Sequence, residues 1–257
     1  MTALRRERES RLRVAASMAV AKYLLPAWLT ALRGAGSGAA VALSAVNSAE
    51  VAQAVLTGAA DIGSVEAPGV PDRQRAGPVG RDTLTVVVAP SHPWARRRSG
   101  VPPAELAATA LVSRESGSGT RGFFEQALRA HAGLDHVPPL AELSSTTAIK
   151  AAVAADAGPA MLSFLAVAAE LSAGTLRAVT ITGLKLNRTL LAVWAPDRRL
   201  AGPARDLYAV ATRSARAPAA RDDPVWQDVS STPGKPADTH RGPQNRTICM
   251  HPRPPFS

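Results

Sequence analysis

Apolar and polar positions fall in alternating blocks along most of this chain. Short apolar runs of strand length are each followed by a stretch with apolar residues three and four positions apart, which is helical spacing. LRVAAS reads as the first strand, and a helix follows with Val20, Tyr23, Leu24, Trp28 and Leu32 as its apolar stripe. AVALSAVNSAE holds strand two, with Asn47 or Ser48 capping a helix that ends at Gly58. DIGSVEAP is strand three. A linker then leads to TLTVVVAP, an unbroken apolar run that predicts a strand covered on both faces. After the loop SHPWARRRSGVPP a second series begins with ELAATALVS. It continues through a helix around Phe123, a strand near Pro139–Leu143, a helix across TTAIKAAVAADAG, then AMLSF, LAVAAELSAG and LRAVTI. TLLAVWAP is a further buried strand and ARDLYAVATR a closing helix. This alternation predicts an α/β protein of two lobes, with strands near 83–89 and 189–195 crossing between them. A ligand belongs in the interlobe cleft, outside the strand C-termini.

One stretch, ALVSRESGSGTRGFFEQALRA, carries the sharpest chemical signal. Ala110–Val112 reads as a buried strand, Ser113–Thr120 as a loop of hydroxyls and glycines, and Phe123, Phe124, Ala127 and Leu128 as a helix face. The first amides of a helix lack internal partners, and the helix dipole puts partial positive charge there. Glycines let a ligand approach the backbone, and Ser or Thr hydroxyls add uncharged donors. Such a loop suits a small anion.

Composition narrows the classes. The chain has 257 residues, enough for one large domain or two small lobes. No apolar run is long enough to span a bilayer, and the charged start has no signal-peptide core, so the cytoplasm is the expected compartment and no membrane partner is expected. The single cysteine, Cys249, excludes an internal disulfide framework and a Cys-based zinc site. The five histidines show no metal-binding spacing, and neither metal nor cofactor is expected. The net charge of +10 is partly terminal: five Arg face two Glu over residues 1–13, and six basic residues face four acidic ones over 214–257. The remaining excess needs no nucleic acid to explain it.

In their order and spacing, LRVAAS…KYLLPAWL, VNSAEVAQAVLTGAADIGSVE, LTVVVAPSHPWA, LVSRESGSGTRGFFEQAL, STTAIKAAVAADAG and ELSAGTLRAV resemble the effector-binding (substrate-binding) domain of LysR-type transcriptional regulators. The resemblance covers roughly residues 11–213. It implies a type 2 periplasmic-binding-protein-like fold: two Rossmann-like lobes joined by two crossover strands. It also implies homodimers or larger oligomers in the cytoplasm, in which a small effector, often an anionic metabolite, changes how the protein sits on promoter DNA. Family members begin with a winged helix-turn-helix and a long linker helix. Only a short charged segment precedes the domain here, so DNA contact is expected only if a helix-turn-helix is supplied elsewhere. The expected division is a linker-helix remnant over 1–11, an effector-binding domain over 12–213 and a disordered Pro-rich tail over 214–257. Within the domain, lobe I takes about 12–85 and 190–213, and lobe II about 86–189.

The same resemblance implies an effector contact at Ser17, where a plain helix cap is the other reading. Met18, Ala19 and Val20 are apolar, which suits a ligand with a hydrocarbon part, and Met18 is the one expected to touch it. Asn47 and Ser48 repeat the geometry at the second helix, again with capping as the alternative. Glu66 follows strand three and either faces the cleft or is a solvated loop carboxylate, the commoner fate of a loop acid. Ser116, Ser118 and Thr120 carry the ligand signal, against a glycine-rich turn capped by Ser118 or Thr120. Thr146 and Thr147 open another helix, as caps or as the opposite cleft wall. Trp28, Phe123, Phe124, Phe164 and Trp194 read as packing, and Arg96–Arg98 as a solvated loop. His131 and His136 flank a polar loop and are expected in solvent. No residue is assigned a catalytic role.

Gly117, Gly119 and Gly122 also spell GxGxxG between a strand and a helix, with Glu142 twenty residues beyond, where a ribose-binding acid belongs. That is the signature of an NAD-dependent oxidoreductase. The motif sits mid-chain, its loop is lined with hydroxyls, and no catalytic His/Lys or Ser/Tyr/Lys set accompanies it. A transporter's solute-binding protein would share the fold but carry an export signal. The reading that absorbs most residues is a non-enzymatic domain binding a small anionic molecule between its lobes.

Overall fold

The computed structural model describes residues 11–66 and 68–216. Residues 1–10 of the linker remnant expected over 1–11, and residues 217–257 of the tail expected over 214–257, lie outside the described residues. Arg11 opens the first strand, and Ser214–Arg216 complete the last helix instead of starting the tail.

Strand β1 (Arg11–Ser17) pairs in parallel with β2 (Ala40–Val46) on one side and β3 (Ile62–Val65) on the other. The helix after β1 starts at Met18 and passes through a π turn at Val20–Leu24 into α1 (Leu25–Gly34). The wider turn shifts the helical repeat. Leu25 therefore joins Val20, Trp28 and Leu32 in the core, while Tyr23 and Leu24 of the expected stripe are half-buried. Asn47 caps α2 (Ser48–Leu56) with a reciprocal pair of bonds: its side chain accepts from the Glu50 N–H and Glu50 accepts from the Asn47 N–H.

Strand β4 (Arg75–Val88) begins well before TLTVVVAP. Gly77, Pro78 and Gly80 make its first half look like a linker, but that half pairs antiparallel with β9 (Asn187–Trp194), with a register shift between Pro78 and Gly80. A bulge is where a strand tolerates proline. The second half of β4 pairs with β7 (Ala160–Ser163) and β8 (Arg177–Val179), and β9 also bonds β3. Strands β4 and β9 are thus the two crossovers between Rossmann-like lobes. The second lobe adds α3 (Pro103–Ala107), β5 (Val112–Arg114), α4 (Gly119–Ala132), β6 (Ala141–Leu143), α5 (Thr146–Ala154) and α6 (Phe164–Ala173). Helix α7 (Gly202–Arg216) closes the described chain. β5 starts two residues later than the apolar run suggests and pairs in parallel with β6.

The central strands of the main sheet are covered on both faces. Val86 and Val88 pack with Leu106, Phe124 and Leu128, whereas Val87 points the other way, to Ile149, Val153 and Leu162. That two-sided burial is what the unbroken apolar run of β4 requires. In the first lobe Val14, Trp28, Leu190 and Leu207 cover one face, and Ala15, Val51, Val65 and Val193 the other. His136, expected in solvent, instead stacks edge-on against Phe124 at 5.2 Å, and burial lowers its pKa. No described helix is long and apolar enough to cross a membrane.

Leu190 is fully buried on a crossover strand. Leu190→Ala is expected to lower stability by about 2–5 kcal/mol, read as an earlier urea midpoint at unchanged m-value.

Candidate functional site

Three chain segments that begin helices meet at one residue, Glu66. Ser48 opens α2, and its hydroxyl accepts from the Glu66 N–H at 3.1 Å. Thr120, in the first turn of α4, donates its hydroxyl to Glu66 Oε2 at 2.9 Å. The Ala19 N–H, in the first turn after β1, donates to Glu66 Oε1 at 3.1 Å. Ser17 is buried beside the same group; its hydroxyl makes no hydrogen bond of good geometry. Glu66 is therefore not a solvated loop acid. It is 3% exposed and sits at the point where Ser17, Ser48 and Thr120 converge.

The counter-charge is Arg188 on β9. Its Nη2 lies 2.8 Å from Glu66 Oε2 and 2.6 Å from Asp82 Oδ2, its Nε donates to the same Asp82 oxygen at 2.9 Å, and its Nη1 donates to Thr120 Oγ1 at 3.2 Å. Asp82, on β4, also accepts from the Ser163 hydroxyl at 3.0 Å. Burying such charges is costly unless each is paired and hydrogen-bonded. Burial is the largest single influence on Glu66 and opposes its ionisation. The Arg188 guanidinium, then the Ser17 and Thr120 hydroxyls and the Ala19 N–H, together outweigh it and hold the carboxyl below its usual range. The network joins β3's exit in the first lobe, α4 and β7 in the second, and both crossover strands.

The glycines of the 116–122 loop serve close approach. Gly117 has φ +84°, a left-handed conformation that favours glycine, and its carbonyl accepts from the Ala49 N–H at 3.2 Å. A Cβ on Gly119 would lie 2.5 Å from Ser48 Oγ and 2.8 Å from the Glu66 carbonyl carbon. The loop is thus pressed against the first lobe. Glu142, the expected ribose partner, is instead ion-paired with Arg121 at 2.5 Å, and Arg121 also bonds Glu125 at 2.8 Å. The dinucleotide reading of GxGxxG does not fit this packing.

Outside that contact lies a groove of about 620 Å³, lined by Ser48, Val70, Asp72, Ser116, Ser118 and Glu125 among others. Ser118 occupies the N-cap position of α4 and is 4% exposed, yet its side chain makes no capping bond and no other hydrogen bond. The N–H groups of Gly119, Thr120 and Arg121 also lack an acceptor among the described residues. Free amides at a helix start attract negative charge. Ser48, Ser116 and Ser118 line the groove, while Ser17, Glu66 and Thr120 belong to the buried network. Asn47 is spent on its capping box, and Met18 is half-buried away from the groove lining. Thr146 is not a cap: Ser145 caps α5 through the Ala148 N–H at 3.3 Å, and Thr146 joins neither group. Among the described residues, no cluster of His, Cys, Asp or Glu could hold a metal ion.

Arg188, Asp82 and Ser163 were not among the sequence candidates. Their signal is parity. Asp82 shares a strand face with Leu84 and Val86, and Arg188 with Leu186 and Leu190, so both charges point where apolar residues are buried.

Comparison with known proteins agrees with this geometry. The family model of the LysR substrate binding domain matches residues 5–216. The HTH-type transcriptional regulator Rv2282c of Mycobacterium tuberculosis is 46% identical over 79% of this chain and 68% of its own length. The regulator YeiE of Escherichia coli is 35% identical over 78% of this chain and 67% of its own length. Among solved structures, the regulatory domain of Synechocystis CcmR in complex with 2-PG has a TM-score of 0.70 at 25% identity, covering 80% of this chain and 98% of that one. The effector-binding domain of QuiR in complex with shikimate has a TM-score of 0.68 at 14% identity, covering 80% and 96%, a likeness of fold.

Two outcomes are expected from the buried network. Because the folded-state pKa of Glu66 is lowered, its stabilisation is complete above the unfolded value of about 4.3 and is lost as pH falls through the lower folded value. Thermal melts taken down that range should therefore fall more steeply for the native chain than for Glu66→Gln. Arg188→Met leaves Glu66 and Asp82 buried without their cation, and urea unfolding should show a loss of about 3–5 kcal/mol.

Proposed function

The chain belongs to the LysR substrate-binding domain family, and from that premise we propose that it senses a small anionic metabolite held in the groove between its lobes. The observation that carries this reading is the start of α4. Its first N–H groups have no acceptor, and Ser118, whose hydroxyl makes no hydrogen bond, lines with Gly119 a groove large enough for a small organic molecule. Ser116 and Ser48 supply further hydroxyls, and Ala49, Ala52, Val70 and Pro71 supply apolar wall for a hydrocarbon part. Asp72 also lines the groove and repels a second negative charge, while Glu125 is neutralised by Arg121 beside it, so the ligand carries its anionic group at one end. The CcmR regulatory domain, seen with 2-PG, supports a small-molecule effector for a domain of this shape.

The effector bridges α2 and loop 68–72 on one side and the start of α4 on the other. Its binding biases the angle between the lobes by as much as its affinity differs between their two arrangements. The molecule is held and released without chemical change, and no cofactor takes part. The domain works in the cytoplasm as a homodimer or larger oligomer, and any DNA contact is made through a helix-turn-helix, the element that the names of its HTH-type relatives carry.

A thermal-shift screen of anionic metabolites tests the reading. A true effector at saturation should raise Tm by roughly 5–10 °C. The double variant Ser116→Ala/Ser118→Ala should lose most of that rise while keeping its ligand-free Tm within about 2 °C. A hit that stabilises the double variant as well as the native chain would place the ligand elsewhere.

A further inference from the structure

The Glu66 carboxylate is held the way proteins hold bound carboxylates. One oxygen takes a helix-start N–H from Ala19, and the other takes the Thr120 hydroxyl and the Arg188 guanidinium. Ala19, Thr120 and Arg188 are each more than nine-tenths buried, and each comes from a different segment: the first lobe's opening helix, α4 of the second lobe, and crossover strand β9. No segment alone builds this receptor. It is complete only when the lobes are together, and a side chain from the first lobe's own loop fills it.

We propose that Glu66 is an internal ligand: its carboxylate occupies a latent binding site for a small monocarboxylate, and its presence there holds the lobes closed without an effector. The site selects a single planar negative group. Arg188 Nη2 touches both Glu66 Oε2 and Asp82 Oδ2, and Asp82 is fixed by three bonds from Arg188 and Ser163. A dianion such as sulfate would set its extra charge against Asp82, which cannot turn away. The inference is independent of where in the groove an effector rests, because it concerns only the buried network.

The full chain carrying Glu66→Ala tests it, since the deleted atoms beyond Cβ are those of acetate. At about 100 mM, acetate is expected to raise the Tm of Glu66→Ala by roughly 3–6 °C over chloride of equal ionic strength, and saturably. Acetamide, which has the shape without the charge, and sulfate should give no such rise, and the native chain should not respond to acetate. An equal Tm in acetate and chloride, or an equal acetate response in the native chain, overturns the proposal. If Glu66→Ala does not fold, Glu66→Gln keeps the side-chain shape and decides the question by small-angle scattering. A larger radius of gyration than the native chain supports an internal ligand that closes the lobes. An identical radius shows a packing residue and overturns it.

Discussion

A guanidinium that water cannot reach must be neutralised by the protein, and Arg188 can be neutralised only where two lobes and two crossover strands meet. Asp82 comes from the neighbouring crossover, Glu66 from the exit of β3, and Thr120 from the start of a helix in the other lobe. Buried ion pairs add little net stability over an apolar core of the same volume. What this one adds is geometry. If the lobes part, Thr120 leaves both Arg188 and Glu66, and the charges either take up water or stand unpaired. The two acceptable states are closed and dry or open and hydrated, with poor alternatives between them. A bistable joint of that kind is what a small ligand needs in order to shift a population by differential affinity.

The polar groups of the cleft divide into those already spent and those still free. Thr120, Ser163, Glu66 and Asp82 are engaged with one another and with Arg188. Gly119 allows this by letting the α4 start press onto Ser48 and the Glu66 backbone, where any Cβ would collide. A glycine pattern that in another setting approaches a pyrophosphate here approaches another part of the same chain. Ser116 and Ser118 stay outside that knot and, with Gly119, line the groove. The lobes are thus joined by one set of groups, and the hydroxyls that line the groove form a second set a residue or two away.

Much of this arrangement is legible in the sequence, because burial imposes periodicity. The two-lobe α/β order and the two-sided burial of Val86–Val88 follow from strand and helix spacing, and the resemblance adds the expectation that Ser17 lies at the cleft. What is not legible depends on partners distant in sequence. Glu66 looks like a loop acid until Arg188, more than a hundred residues later, is beside it. The first half of β4 hides behind Gly77, Pro78 and Gly80, and only its ladder with β9 shows a bulged strand. Adjacent hydroxyls compete for one cap, so Ser145 rather than Thr146 serves α5, a choice made by local φ and ψ that composition does not carry.

The helix starts show most directly where the molecule keeps chemistry in reserve. Helix α2 is closed by Asn47 and Glu50, and α5 by Ser145. The Ser163 hydroxyl at the start of α6 makes no cap because it is committed to Asp82. At α4 a serine also stands in the cap position, buried, but its hydroxyl serves neither the helix nor a neighbour. An unbonded hydroxyl and three unbonded amides there cost stability that an ordinary cap would recover, by about 1 kcal/mol. Helix α6 is uncapped as well, but among these four helices only α4 has a cap-position hydroxyl with no bond elsewhere, and Ser118 and Gly119 line the groove between the lobes. In the proposed function that missing acceptor is the anionic end of the effector, which would recover the cost this start leaves unmet.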